Sequence, residues 1–148
     1  MAILFHGMSY TGNNTMISTV EEFSRLLASQ NPEDYQRLRS DIASDEVWSD
    51  ILEKLPEATI WVVRNKTIPL GILRILAKHE DVKIRWEVAT KRKLDEELFE
   101  ILSKDNNETV RVRVAYNKRT PKNILERLAG DGSKLVAEIA SSRLENMK

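Results

Sequence analysis

From Ile17 onward the apolar residues fall in clusters at helical rather than strand spacing. In TMISTVEEFSRLLASQ (15–30), Ile17, Val20, Phe23, Leu26 and Leu27 share one helical face, and Thr15 or Ser18 stands ahead of Glu21 in a capping-box pattern. PEDYQRLRSDIA (32–43) opens on Pro32, a first-turn residue, and DEVWSDILEKL (45–55) sets Val47, Trp48, Ile51, Leu52 and Leu55 on one face. Three helices are predicted.

Beyond them the pattern repeats. A shift of 26 residues lays RNKTIPLGILRILAKH (64–79) over TKRKLDEELFEILSKD (90–105), and that over YNKRTPKNILERLAGD (116–131). The apolar columns are Ile68 with Leu94; Ile72 with Leu98 and Ile124; Leu73 with Phe99 and Leu125; and Leu76 with Leu102 and Leu128. Small residues Ala77, Ser103 and Ala129 follow. KIRWEVA (83–89) lies over TVRVRVA (109–115), and LVAEIASSRL (135–144) fits beneath them after deletion of one residue, which places Ile139 and Ala140 under Val114 and Ala115. Within each long segment the columns sit at i, i+1, i+4 and i+5, the spacing of one helical face. Pro69, Asp95 and Pro121 suit a first turn, with Thr67 and Thr120 as candidate caps. Each unit therefore reads as a helix, a turn, a second short helical segment and a polar loop.

The stretch VRVRVAY (110–116) has two readings. As a strand it sets three valines on one face; as a helix it buries Val110, Val114 and Ala115 and leaves Arg111 and Arg113 outside. Alternation favours the strand, and the repeat context favours the helix, because the aligned KIRWEVA does not alternate.

VRVRVAYNKRTPKNILERLAGD (110–131) resembles a unit of the bacterial leucine-rich repeat variant family and, more loosely, HEAT-type helical repeats. The resemblance covers about residues 60–144. It implies an all-α, right-handed superhelical solenoid in which an α-helix alternates with a shorter or 3₁₀ helix, here about 3–4 units of 25–26 residues. Residues 15–59 would form an N-terminal helical cap, residues 60–148 the repeat region, and residues 1–14 a flexible arm.

Charge sharpens this division. The chain of 148 residues has 23 basic and 23 acidic residues, but residues 1–59 hold 4 Lys/Arg against 10 Asp/Glu, a net of −6, and residues 60–148 hold 19 against 13, a net of +6. An acidic cap and a basic repeat region point to charged partners. With no cysteine, disulfides, thiolate metal sites and Cys nucleophiles are excluded. Some members of the family carry a cysteine-bound iron–sulfur cluster, which cannot carry over, and no cofactor is expected. The run Ala2–Phe5 is too short for a signal peptide or a membrane span, so a cytoplasmic protein is expected, with no membrane partner, and the resemblance implies a bacterial one.

Catalytic signals are weak. His6 and His79 are far apart with no metal-ligand spacing, the five glycines form no phosphate loop, and Asp95, Glu96 and Glu97 suit a helix's first turn. Trp48, Trp61 and Trp86 fall in apolar periodic segments, as packing residues do. No enzyme and no small-molecule substrate are inferred.

The informative residues are the basic ones at equivalent positions. Lys66, Arg92 and Lys118 recur at 26-residue steps, thickened by Lys91, Lys93 and Arg119. Arg85 and Arg111 form a second column with Arg113 beside it. In a helical stack each step advances about 10 Å, so three cations span about 20 Å. Two roles compete for them: a partner surface, or a solvated edge paired internally with Asp81, Asp105, Glu108 and Asp131. The expected function is a protein-interaction module, an adaptor, regulator or toxin-immunity type, whose partner is an acidic patch at the basic edge or a basic toxin at the acidic end. The alternative is a nucleic-acid binder using the basic edge.

Overall fold

The computed structural model describes residues 15–148. The flexible arm predicted over residues 1–14, with His6, lies outside the described residues. Every regular element among them is helical: α1 Val20–Ala28, α2 Pro32–Ser40, α3 Asp45–Lys54, a 3₁₀ turn Pro56–Ala58, α4 Thr59–Arg64, α5 Leu70–Leu76, α6 Val82–Ala89, α7 Glu96–Ser103, α8 Glu108–Tyr116, α9 Lys122–Leu128 and α10 Lys134–Glu145. A lone parallel bridge joins Met16 to Ile42. No helix among the described residues is long and apolar enough to cross a membrane. The chain forms two compact units, one ending at Ile72 and the other running Leu73–Lys148; the predicted division after residue 59 falls inside the first.

In the first unit α1 packs on α2 and α3, and α4 packs on the same two helices. Phe23, Leu26, Trp48 and Ile51 are buried where the amphipathic faces meet, with the Phe23 and Trp48 rings edge to face at 6.2 Å. The N-terminal cap of α1 is neither expected candidate but Thr19, one residue after Ser18 and four after Thr15: Thr19 accepts from the Glu22 N–H at 3.0 Å, and the Glu22 carboxylate accepts from the Ser18 N–H at 3.0 Å. Ile17 is buried ahead of the helix and held by its N–H to the Ile42 carbonyl at 2.8 Å. Pro32 opens α2 as expected.

In the second unit like packs on like: α6 on α8, α8 on α10, and α7 on α9. The aligned columns are the core. Leu98, Phe99 and Leu102 from α7, and Ile124, Leu125 and Leu128 from α9, are buried, as are Ile84, Val88 and Ala89 from α6 and Val110, Val114 and Ala115 from α8. Full burial of one such Leu, Ile or Val contributes about 1.5–3 kcal/mol, which is why the i, i+4 spacing decides VRVRVAY in favour of a helix. The aligned expectation fails in the last copy. Val136 and Ala140, 26 residues after Val110 and Val114, are the buried pair in α10, while Ile139 is partly exposed, so no residue is deleted from the repeat. The second helices also depart from the short or 3₁₀ form that the resemblance implies: α6 and α8 are α-helices of 8 and 9 residues, beside 8 in α7 and 7 in α9.

Turn chemistry recurs with the same step. Asp81, Asn107 and Ser133 cap α6, α8 and α10, accepting from the N–H of Lys83, Thr109 and Val136. Two residues before each cap, a side chain accepts the cap's own N–H: His79 Nδ1 from Asp81 at 3.0 Å, Asp105 from Asn107 at 2.9 Å and Asp131 from Ser133 at 2.8 Å.

Candidate functional site

The predicted basic residues divide into two groups with opposite surroundings. Arg85 and Arg111 are engaged within the fold. Arg85 donates through Nε and Nη2 to both carboxylate oxygens of Asp105, at 2.7 and 3.1 Å, and through Nη1 to the His79 carbonyl at 2.8 Å. Arg111 repeats this one step on, with Asp131 at 3.0 and 3.1 Å and the Asp105 carbonyl at 2.8 Å. Of the internal partners expected from sequence, Asp105 and Asp131 are the ones that serve these two arginines. Burial raises the Asp131 carboxyl's pKa, but the hydrogen bonds from Arg111 and the Ser133 N–H, with the charge of Arg111, outweigh it and leave the group below its ordinary value of 3.8.

The acidic run 95–100 is likewise structural. Asp95 caps α7 through the Leu98 N–H at 3.0 Å and pairs with Arg74, Glu97 meets Arg74 at 2.8 Å, and Glu100 meets Arg127 at 2.6 Å. Arg127 also donates to Ser103. The hydrogen bond and charge of Arg127, against a smaller desolvation, hold the Glu100 carboxyl below its usual range.

The second group converges. Arg92 from the loop after α6, Arg113 from α8, and Lys118 and Arg119 from the loop after α8 line one open cleft of about 450 Å³, together with the exposed ring of Tyr116. Among the described residues no carboxylate stands within ion-pairing distance of these four cations. Arg113 is instead held by an aromatic ring: its guanidinium lies 5.9 Å from the centroid of Trp86, and its Nε is buried without a hydrogen-bond partner. Trp86 is 38% exposed, so unlike Trp48, which is wholly buried, it packs at the surface.

The floor of the cleft is a residue that sequence reasoning missed. Buried Asn117 donates from Nδ2 to the carbonyls of Ala89, at 2.8 Å, and Lys91, at 2.9 Å, while its Oδ1 accepts the Arg119 N–H at 2.9 Å. One amide thus ties off the C-terminal end of α6 and fixes the loop that carries Lys118 and Arg119. Thr120, expected as a helix cap, donates to the Val114 carbonyl at 2.6 Å and holds the same loop from the other side. Arg143, 26 residues on, takes the part of Asn117, donating to the carbonyls of Ala115 at 2.7 Å and Asn117 at 3.0 Å. In the first unit Asn65, 52 residues before Asn117, donates to the carbonyls of Leu38 at 2.8 Å and Asp41 at 3.0 Å. The signal was present in the sequence: Asn65, Lys91, Asn117 and Arg143 recur every 26 residues, one position ahead of Lys66, Arg92 and Lys118.

Lys66 is exposed and belongs to the first unit, its N–H donating to the Arg39 carbonyl at 2.8 Å. Lys91 is partly exposed and has interactions of its own. No cluster of side chains among the described residues is suited to hold a metal ion. No family model, curated protein or solved structure matches this chain.

Proposed function

We infer that the chain is a non-catalytic, bacterial, cytoplasmic repeat protein of leucine-rich repeat variant or HEAT-like type, wound as a right-handed α-α superhelix. Its function is to bind another protein, as an adaptor, regulator or immunity partner would. The observation that carries this reading is the cleft of Arg92, Arg113, Lys118 and Arg119: four cations gathered from α8 and the loops after α6 and α8, with no carboxylate among the described residues to neutralise them, whereas Arg85 and Arg111 of the same unit are each paired with an aspartate. Like charges brought together cost free energy unless a partner supplies the opposite charge, so an acidic segment of a partner is the fitting occupant. The recurrence of caps, Arg–Asp pairs and carbonyl ties at 26-residue steps supports the repeat assignment.

The test is recovery of partners from the native cell with wild type and an Arg92→Glu/Lys118→Glu double variant. Both side chains are exposed, so the variant should fold, and it should lose the partners that wild type retains at moderate salt. An identical set of partners would remove the cleft from the interface.

A further inference from the structure

We propose that the cleft is a phosphoryl-binding pocket that receives a phosphorylated side chain of the partner. This rests on the protein-binding reading and specifies the group recognised.

The chain supplies its own reference for recognising a carboxylate. Asp105 and Asp131 are each satisfied by one arginine in a two-point contact, with a single backbone N–H added. One planar guanidinium matches the two oxygens and single charge of a carboxylate. The cleft offers three guanidinium groups and an ammonium around about 450 Å³. That donor set exceeds what a carboxylate can accept. It suits a tetrahedral group with three terminal oxygens and a charge between −1.5 and −2.

The surroundings are arranged for a small dianion. Trp86 fixes the Arg113 guanidinium by a cation–π contact, which orients the charge without cancelling it, as a carboxylate would. Asn117 covers the Ala89 and Lys91 carbonyls, removing acceptor oxygens that would repel an anion at the end of α6. Its Oδ1 and Thr120 clamp the loop bearing Lys118 and Arg119, so those cations sit on backbone already ordered. The Tyr116 ring, 53% exposed, gives an apolar wall for the carbon chain or ring that carries the phosphate. A polynucleotide, by contrast, needs a cationic track. Exposed Glu96, Glu126, Glu138 and Glu145 interrupt the remaining surface of this unit.

The experiment is a titration of the full chain, followed by amide and arginine-side-chain NMR, with inorganic phosphate, phenyl phosphate and acetate at matched ionic strength. Saturable shifts at Thr90, Arg92, Arg113 and Tyr116–Arg119, with phosphate species binding about tenfold or more tighter than acetate, are expected. These shifts should vanish in Arg92→Glu/Lys118→Glu and weaken in Trp86→Leu, each checked for an intact spectrum. Equal response to acetate and phosphate, or shifts spread evenly over all surface arginines, would overturn the proposal. A second set of probes separates the two readings: a short acidic peptide carrying one phosphoserine, the same peptide with glutamate in its place, and single-stranded oligothymidylate. Equal binding of the two peptides defeats phosphoryl recognition and leaves the protein-binding reading standing. Tighter binding of the oligonucleotide than of either peptide defeats both.

Discussion

Arg111 and Arg113 are two residues apart on α8, yet one is matched to a carboxylate and the other to a ring. Arg111 meets Asp131 through two hydrogen bonds and is 18% exposed, and Arg85 meets Asp105 in the same way with 14% exposed. Arg113 rests on Trp86 and faces a cleft shared with three more cations. Residue type therefore says little about role; the compensating charge does. The paired column joins each second helix to the turn after the next long helix. The cleft cations make no such ion pair among the described residues.

Four measurements would break or sharpen this contrast. The largest effect is expected on the paired side: Asp105→Ala strands the half-buried Arg85 and uncaps the Asn107 N–H, and should cost about 3 kcal/mol in urea unfolding. A loss below about 0.5 kcal/mol would mean that the Arg85–Asp105 pair does not hold the fold. Next, Asn117→Leu should cost about 2 kcal/mol, since the Ala89 and Lys91 carbonyls lose their donor.

The Arg111→Met variant tests the charge coupling through pH. The Asp131 carboxyl has a depressed pKa in the folded state, so its contribution is present above its ordinary value of 3.8 and is lost as the pH falls below that value. Wild type should exceed Arg111→Met by about 1–2 kcal/mol at neutral pH, and the gap should close as pH falls toward 2 to 3. A gap independent of pH would assign the arginine's contribution to packing of its stem. The smallest stability effect is expected in the cleft. Arg92→Glu/Lys118→Glu should change unfolding free energy by no more than about 0.5 kcal/mol while abolishing partner capture, separating binding from folding as the paired column cannot.

How far the sequence predicts this arrangement depends on what sets each feature. The helices and the 26-residue step are legible because burial repeats at i, i+4, and apolar identity reports burial directly. The register of the last copy is not, because isoleucine outweighs alanine on any hydrophobicity scale, while the geometry of α10 buries Ala140 and leaves Ile139 partly exposed. The carbonyl ties escape notice for a different reason. Asn117 and Arg143 do the same work with different side chains, so the column is defined by donor capacity and position and not by identity. In the candidate site, the row containing Arg92 and Lys118 is visible from spacing. Internal pairing is one of the two roles the sequence offers, but that Asp105 and Asp131 of the four acids serve Arg85 and Arg111, and that Trp86 reaches Arg113 27 residues away, depends on tertiary contacts that no local pattern encodes.

The carbonyl ties also govern how such a chain can change length. Arg143 reaches back 28 and 26 residues to Ala115 and Asn117, and Asn117 reaches back the same intervals to Ala89 and Lys91. A duplication of residues 92–117 would present the next donor with the same pair of carbonyls, whereas an insertion one residue longer or shorter would offer it the wrong atoms. Growth of the array is thereby quantised. Each added copy would bring its own tie, cap and Arg–Asp pair, and another Arg92-to-Lys118 step of basic surface, so the number of basic clefts could be multiplied by duplication without redesigning any one of them.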